Sequence, residues 1–293
     1  MFIERFTNYL QYEKRFSAHT LSAYIKDLHQ FQIFLSQSDT DLKSARHLDV
    51  RSWVVDLLDK KTEARSVQRK LSSLRTFYKF LQREMLIEIN PTLQVKAPKI
   101  AKRLPVFLED SKLDALLDHD DVFSDDFEGM RDKLVIELLF GTGMRLAEMV
   151  TLTDGDINTY EQSIKVFGKR SKERIVPVSA PLMKLLTDYI AVKVHENFPN
   201  PSSALIVTSE GKAAYPKLIY RIVNKYLSQI STHQKRSPHV LRHSFATSLL
   251  NKGADLNAIK ELLGHASLSA TQVYTHNSVE RLKTIYKQAH PKA

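Results

Sequence analysis

Cysteine is absent from all 293 residues of the chain. Its absence excludes disulfide bonds, thiol catalysis and thiolate metal sites, and it fits the cytoplasmic location that we expect. No apolar run approaches the roughly 18 residues that a membrane-spanning helix needs, so we expect no membrane partner. The opening segment MFIERFTNYLQYEKRF carries charges throughout, which is unlike a secretory signal.

Motifs for nucleotides and metals are also missing. The sequence contains no Gly-x-x-x-x-Gly-Lys-Ser/Thr loop for binding a nucleotide phosphate. His239 and His243 are spaced like the ligands of an H-E-x-x-H zinc site, but no glutamate stands between them. Arg242 does stand there, and its charge would repel a cation. We therefore expect neither a metal nor a cofactor.

The charge balance is strongly positive and uneven along the chain. The net charge is +10 and the isoelectric point is about 9.5. Residues 1–104 hold 19 Lys and Arg against 11 Asp and Glu, whereas residues 105–293 hold 24 against 22. Basic proteins without membrane segments most often bind nucleic acid, so we expect DNA or RNA as a partner.

The first third of the chain has the apolar spacing of helices. After Thr20, which the sequence favours as an N-cap, apolar residues repeat at helical intervals as far as Leu35. A second apolar stripe in SVQRKLSSLRTFYKFLQREM is flanked by basic residues, from which we take as candidate DNA contacts Arg69, Lys70 and Arg75. The alternative interpretation is that this basic face only keeps the domain soluble.

Prolines and basic residues mark a boundary near residue 100. Pro98 and Pro105 enclose a basic segment, and proline interrupts helices and stiffens linkers. We predict an N-terminal DNA-binding domain over 1–97, a linker over 98–105 and a second domain over 106–293.

The second domain is predicted to be mainly helical, with one β insertion. SIKVFGKRSKERIVPV has the pattern strand, turn, strand, with Ile164 and Val166 before the turn and Val176 after it. LNAIKELLGH is typical of a short helix that Gly264 ends in a left-handed conformation. The predicted fold class is therefore mainly α: an all-helical domain followed by a mixed α+β domain with a small sheet.

Several segments of the second domain offer groups that suit an anionic phosphate. GTGMRLAEM places Arg145 beside a glycine turn, although Arg145 could simply pair with Glu148. SPHVLRHSFAT contains His239-x-x-Arg242, and arginine has a planar fork of donors that matches phosphate oxygens. Further candidates stand in the predicted hairpin turn and near the end of the chain: Lys169, Lys172, Arg174, His265 and Tyr274.

Together these residues resemble the tyrosine recombinase (phage integrase) family. The order and approximate spacing match at six positions: Arg145, Lys169, His239, Arg242, His265 and Tyr274. The surrounding segments are similar too, including TGMRLAE, GKRSKERIVPV and LLGHASLSATQVYTH, and they look most like the Xer type (XerC/XerD-like). The similarity runs over nearly the whole chain, and the N-terminal part resembles the family's SAM-like core-binding domain.

The resemblance implies a metal- and ATP-independent reaction on DNA. Tyr274 would attack a phosphodiester and form a 3′-phosphotyrosyl bond, while Arg145 and Arg242 would bind phosphate oxygens. Lys169 would protonate the leaving 5′-oxygen, and His239 would accept the tyrosine proton. His265 would add a third donor to the phosphate, and Glu148, which matches the acidic position of the family, would orient the site. Apart from the resemblance, we expect His243 to be a packed, hydrogen-bonded histidine that supports the site.

The resemblance also implies partners and a biological role. The expected partners are a dif-like inverted-repeat duplex, three further protomers in a homo- or heterotetramer, and a DNA translocase. Apart from the resemblance, the C-terminal segment has Leu282, Ile285 and Tyr286 at helical spacing, and we expect this helix to dock on a neighbouring protomer. The expected role is resolution of chromosome dimers during cell division. The alternatives are an integrase of a phage or mobile element, a type IB topoisomerase, or a DNA-binding regulator without catalysis.

Overall fold

Two compact units make up the chain. The structure is a computed structural model that describes residues 2–100, 108–119, 121–168, 173–198, 202–231, 236–264 and 286. The units span 1–103 and 104–293. Most of the predicted linker over 98–105 lies outside the described residues, so its bounds stay a prediction. Across the described part of the chain, every helix is too short or too polar to cross a membrane.

Helices build the described part of the first unit. They are α1 (Phe2–Asn8), α2 (Ala18–Ser36), α3 (His47–Asp59) and α4 (Ala64–Arg83), and one π-helical turn, Tyr9–Glu13, follows α1. Their apolar faces meet in one core, where the rings of Phe31 and Trp53 lie 5.0 Å apart. Burial of such large side chains is the main source of stability for a domain of this size.

Helix α2 begins one turn earlier than the sequence predicted. Ser17 is the N-cap, since its backbone is extended and its Oγ accepts a hydrogen bond from the Thr20 amide at 3.4 Å. Thr20 therefore lies inside the first turn, and its prediction as N-cap is wrong. Serine and threonine both favour the N-cap position, so the residue types alone do not decide between them.

Helix α4 confirms the predicted apolar stripe, but one basic residue that the sequence predicted to be exposed is buried. Leu71, Leu74 and Phe77 are fully buried. Lys70 was placed on the polar face, yet only 8% of it is exposed. Its ammonium group pairs with the buried Asp27 of helix α2 at 3.2 Å. The sequence interpretation is wrong about the exposure of Lys70, because its partner is 43 residues away in the chain.

The second unit combines helices with one small sheet. Its helices are α5 (Asp110–Asp118), α6 (Phe127–Thr142), α7 (Leu146–Met149), α8 (Ala180–His195), α9 (Pro216–Ile230), α10 (Pro238–Asn251) and α11 (Leu256–Leu262). Most residues of helix α6 are buried, and the helix packs against α8, α9 and α10. Its buried charges, Arg131 and Asp132, pair with each other, so the helix can lie at the centre of the domain. This packing fixes the C-terminal end of α6, from which the site described below begins.

The predicted hairpin is present and belongs to a three-stranded antiparallel sheet. The strands are β1 (Ile157–Asn158), β2 (Ser163–Phe167) and β3 (Glu173–Pro177), paired in that order. Ile164 lies opposite Val176, and Val166 lies opposite Arg174. Because side chains alternate along a strand, Arg174 shares the inward face with Val176.

Helix α11 ends where the sequence predicted. Gly264 follows its last turn with a φ of +62°, the left-handed conformation that glycine tolerates best. A separate apolar cluster joins α11 to α10, and Tyr286 belongs to it. The Tyr286 hydroxyl donates to the carbonyl of Gly141 at 2.9 Å. Tyr286 is thus buried within its own chain rather than presented to a neighbouring protomer, while Leu282 and Ile285 lie outside the described residues.

Candidate active site

Arg145 stands at the junction of helices α6 and α7. Helix α6 ends at Gly143, which adopts a φ of +59°. A Cβ atom there would lie 2.3 Å from the ring of Phe245, so any other residue would collide with helix α10. Arg145 then caps the short helix α7 in an extended conformation. The glycine turn therefore brings the arginine close to helix α10.

Glu148 holds Arg145 through both its side chain and its backbone. Arg145 donates from Nη1 to Glu148 Oε1 at 2.7 Å and from its amide to Oε2 at 2.8 Å. The pair is not an ordinary surface salt bridge, because only 5% of the Glu148 side chain is exposed, against 31% for Arg145. The carboxylate is inside the domain, and it points the guanidinium outward.

Arg174 completes the set of partners around the same carboxylate. It donates from Nη1 to Glu148 Oε1 at 3.0 Å and from Nη2 to Oε2 at 2.8 Å. This two-point arrangement is the strongest geometry that arginine and a carboxylate adopt. Only 5% of the Arg174 side chain is exposed. The predicted DNA contact of Arg174 stays a prediction, and the structure gives its guanidinium partners inside the domain.

Arg242 approaches from helix α10. Ser237 precedes this helix in an extended conformation, and Pro238 occupies its first position. The guanidinium of Arg242 donates from Nη1 to the carbonyl of Gly143 at 2.5 Å and from Nη2 to that of Leu263 at 2.7 Å. Arg242 therefore links the end of helix α6 to the end of helix α11.

The end of helix α11 receives one hydrogen bond from each of the three arginines. Arg174 Nε donates to the carbonyl of Leu262 at 3.0 Å, Arg242 to that of Leu263, and Arg145 Nη2 to that of Gly264 at 3.1 Å. The last carbonyls of a helix lack partners within the helix and attract cations. The acceptors are consecutive residues, and the charges of Arg145 and Arg174 act on Arg242, so the three guanidinium groups lie close together.

Charge is concentrated and partly desolvated in this cluster. Burial, together with the nearby charges of Arg145 and Arg174, lowers the pKa of Arg242 to about 10 against the opposing effect of Glu148. Burial alone would raise the pKa of Glu148, but its hydrogen bonds and charge interaction with Arg174, and those from Arg145, outweigh this and lower it to about 2. One carboxylate thus faces three cations, and the surplus positive charge suits an anionic ligand.

The two histidines of helix α10 lie at different depths. His239 is exposed and precedes Arg242 by one helical turn. His243 is half-buried on the same helix. His239 is therefore open to solvent, and the catalytic role of His239 and the supporting role of His243 both stay predictions.

Four of the predicted site residues lie outside the described residues: Lys169, Lys172, His265 and Tyr274. The described residues stop at Gly168 and resume at Glu173. Both lysines of the predicted hairpin turn fall in the interval between these two residues. His265 directly follows Gly264, the end of the arginine-bound segment. Among the described side chains, no group of three or more His, Asp or Glu is arranged to hold a metal ion.

Helix α4 of the first unit presents the other predicted DNA contacts. The Arg69 side chain is 46% exposed and forms a two-point ion pair with Asp27. Arg75 is exposed and donates to the carbonyl of Val95 at 2.8 Å. Lys70 is buried beside Asp27, as described above. Sequence reasoning missed Asp27, although its position one residue before Leu28 put it at the edge of the apolar stripe of α2.

Comparisons with known proteins match both units. The model of the phage integrase family matches residues 106–281, and the model of the phage integrase N-terminal SAM-like domain matches residues 3–85. The tyrosine recombinase XerC of Listeria innocua is 39% identical over 295 residues, covering 99% of this chain and 97% of its own length. That of Bacillus subtilis is 37% identical over 300 residues, covering 100% and 97%.

Solved structures share the fold at lower identity. The XerH site-specific recombinase, bound to a palindromic difH substrate in a post-cleavage complex, matches with a TM-score of 0.72. The match covers 96% of this chain and 82% of that one, at 22% identity. An identity this low supports the fold alone.

Proposed function

The chain belongs to the phage integrase family and is a site-specific tyrosine recombinase, and we propose that it cuts and rejoins double-stranded DNA through a covalent bond to Tyr274. The observation that carries this proposal is the convergence of Arg145 and Arg242 on adjacent carbonyls of the Leu263–Gly264 segment. Two guanidinium groups held side by side provide fixed donors for the two non-bridging oxygens of one phosphodiester.

The proposed chemistry begins with attack of the Tyr274 hydroxyl oxygen on phosphorus. The P–O5′ bond breaks, and the 3′-phosphate remains attached to the tyrosine. A free phenol has a pKa of about 10, so a base and a positive environment are needed for the attack. We assign His239 as the acceptor of the tyrosine proton and Lys169 as the donor to the leaving 5′-oxygen. His265 adds a donor to the phosphate.

Charge stabilisation is the part of the mechanism that the described residues support most directly. The transition state carries more negative charge on the phosphate oxygens than the ground state does. Arg145 and Arg242 are already oriented by Glu148, Gly143 and Leu263, so little reorganisation is needed when that charge develops. The energy of the broken bond is kept in the phosphotyrosine, and a 5′-hydroxyl of another strand can use it for rejoining.

The same proposal extends to the DNA and to the assembly. Phosphate contacts by Arg69 and Arg75 of helix α4 would position the first unit, since both side chains are exposed. We further propose a tetramer on two dif-like sites, with a second recombinase or another copy of the chain, activation by a DNA translocase, and a role in resolving chromosome dimers. The XerC relatives, matched over nearly their whole length, support this role.

Covalent trapping on a nicked duplex tests the proposed nucleophile. The duplex carries the best inverted-repeat candidate of the source chromosome, and a nick lets the short cleaved fragment diffuse away. We expect a DNA-linked band on a denaturing gel for the wild type and none for Tyr274→Phe. Tyr160→Phe is the matched control, because Tyr160 is 96% exposed in the same unit and should keep the band. A band that persists in Tyr274→Phe would refute the assignment.

A further inference from the structure

Arg174 carries a role that its position in the sequence does not suggest. It lies on strand β3 immediately after the predicted hairpin turn, where a basic residue would ordinarily face solvent or DNA. Instead, three of its donors are engaged within the domain, two by Glu148 and one by the carbonyl of Leu262. Burying a guanidinium is costly unless its hydrogen bonds are satisfied, and these acceptors satisfy three of them. The acceptors therefore hold Arg174 at a fixed position within the domain.

Both acceptors of Arg174 also belong to the surroundings of Arg145. Glu148 binds the Nη1 and the backbone amide of Arg145 with the same two oxygens that bind Arg174. The Leu262 carbonyl lies two residues before that of Gly264, which receives Arg145 Nη2. Arg174 therefore fixes both groups that orient the guanidinium of Arg145.

The packing around Gly264 adds an independent observation. A Cβ atom on Gly264 would lie 3.1 Å from Nη1 of Arg174, so the guanidinium lies directly against this glycine. Gly264 also needs its positive φ to end helix α11. The backbone that leads to His265 thus turns over the Arg174 side chain, and moving that side chain would move the turn.

We propose that Arg174 is a positioning residue for DNA cleavage, which acts through Glu148 and the end of helix α11. It sets the direction of Arg145 and the position of Gly264, and this role takes the place of the DNA contact that the sequence predicted for Arg174. The proposal rests on the proposed function, in which Arg145 binds the scissile phosphate. Lysine cannot replace arginine here, because an ammonium group cannot bind both carboxylate oxygens and a carbonyl in one plane.

The test compares Arg174→Lys with the wild type on the nicked duplex. Three quantities are measured well below the melting temperature: the affinity for the duplex, the single-turnover rate of adduct formation and the thermal midpoint. We expect the rate to fall by about 100-fold, as a displacement of about 1 Å in a catalytic group produces, with duplex affinity retained. Glu148→Asp keeps the charge but shortens the reach, and it should give the same pattern if Arg174→Lys does not fold.

A neutral methylphosphonate at the scissile position separates positioning from general support of the fold. If Arg174 acts through a cation that binds a charged oxygen, the loss caused by Arg174→Lys should be clearly smaller on the neutral linkage. Lys193→Met is the matched control: Lys193 is a buried cation of the same unit, paired with Asp154 at 2.6 Å. This control should lower the thermal midpoint and leave the cleavage rate of the folded protein unchanged.

Two results would overturn the proposal. One is a cleavage rate of Arg174→Lys no lower than that of Lys193→Met. The other is an equal loss on the charged and neutral linkages. If the wild type forms no adduct at all, the proposed function fails and this inference fails with it. If the wild type forms the adduct and Arg174→Lys does so at the same rate, only this inference fails.

Discussion

Each of the two units contains a buried carboxylate that binds two basic side chains. In the first unit, Asp27 accepts hydrogen bonds from Arg69, Lys70 and Ser73, all of them on helix α4. In the second unit, Glu148 accepts from Arg145 and Arg174, which come from the start of helix α7 and from strand β3. The interacting groups are nearly the same, yet the two clusters are connected differently.

The difference lies in what the basic residues bind besides the carboxylate. The Asp27 cluster joins helix α2 to helix α4 through side chains alone, with Gln30 of α2 as a further acceptor for Lys70. Around Glu148, both arginines also bind backbone carbonyls at the end of helix α11. An ion pair between two helices stabilises their packing, whereas one that also binds backbone at the end of a third helix fixes the direction of the guanidinium to which we assign phosphate binding.

Removing Arg242 should reduce the rate of DNA cleavage more than any other change considered for the two clusters. We expect Arg242→Ala to slow adduct formation by about 10³-fold, or roughly 4 kcal/mol, because a preorganised donor to the transition state is lost. The measurement is single-turnover cleavage of the nicked duplex at saturating protein. Arg131→Ala is the control, since Arg131 is a buried arginine of the same unit that pairs with Asp132. A comparable loss of rate in that variant would contradict the prediction.

Sequence reasoning predicted most elements and named Arg145 and Arg242, which the structure brings to adjacent carbonyls, but it did not find the distant partners of the buried charges. The apolar stripe of α4, the hairpin and the end of α11 at Gly264 were predicted, because each depends on local periodicity or turn chemistry. The pairing of Arg174 with Glu148 spans 26 residues, and that of Lys70 with Asp27 spans 43. Packing of distant elements decides such pairs.

A usable signal for Arg174 was nevertheless present. On strand β3, position 174 has the same parity as the apolar Val176, and the alternation of a strand places both on one face. The sequence showed an arginine at a position that faces the core, which is rare unless the charge is paired. For Asp27 the corresponding signal was weaker, because a position beside an apolar stripe of a helix can face either way.

Acid should weaken the cluster around Glu148 in a defined range of pH. Its pKa is lowered from 4.5 to about 2 in the folded protein, so the charged form stabilises the fold. That contribution is fully present above about pH 4.5 and is lost as the pH falls towards 2. The shift corresponds to about 3 kcal/mol.

The check on this prediction is urea unfolding of the wild type and Glu148→Gln between pH 7 and pH 3. The difference in the free energy of unfolding should narrow below pH 4.5, because protonation removes from the wild type the charge that the variant already lacks. A difference that stays constant across this range would show that the carboxylate charge does not stabilise the fold.

Removing Asp27 should give the smallest loss in the free energy of unfolding, and it should leave the cleavage rate unchanged. Asp27→Ala leaves Lys70 buried without its carboxylate, but the Arg69 side chain is 46% exposed and can turn to water. We therefore expect a loss of about 2 kcal/mol, below the 3–5 kcal/mol of a fully buried pair. Asp56→Ala is the control: it removes an i,i+4 pair with Lys60 on helix α3 and should cost less than about 1 kcal/mol.

The cleavage rate tests whether the Asp27 and Glu148 clusters differ in function as we infer. Because the described partners of Asp27 lie on helix α4 of the first unit, Asp27→Ala should cleave the nicked duplex at the wild-type rate once bound, while Glu148→Asp should not. The salt dependence of binding by Asp27→Ala should also persist, since Arg69 keeps its charge and gains freedom to reach a phosphate. A slowed single-turnover rate in folded Asp27→Ala would mean that both carboxylates serve catalysis.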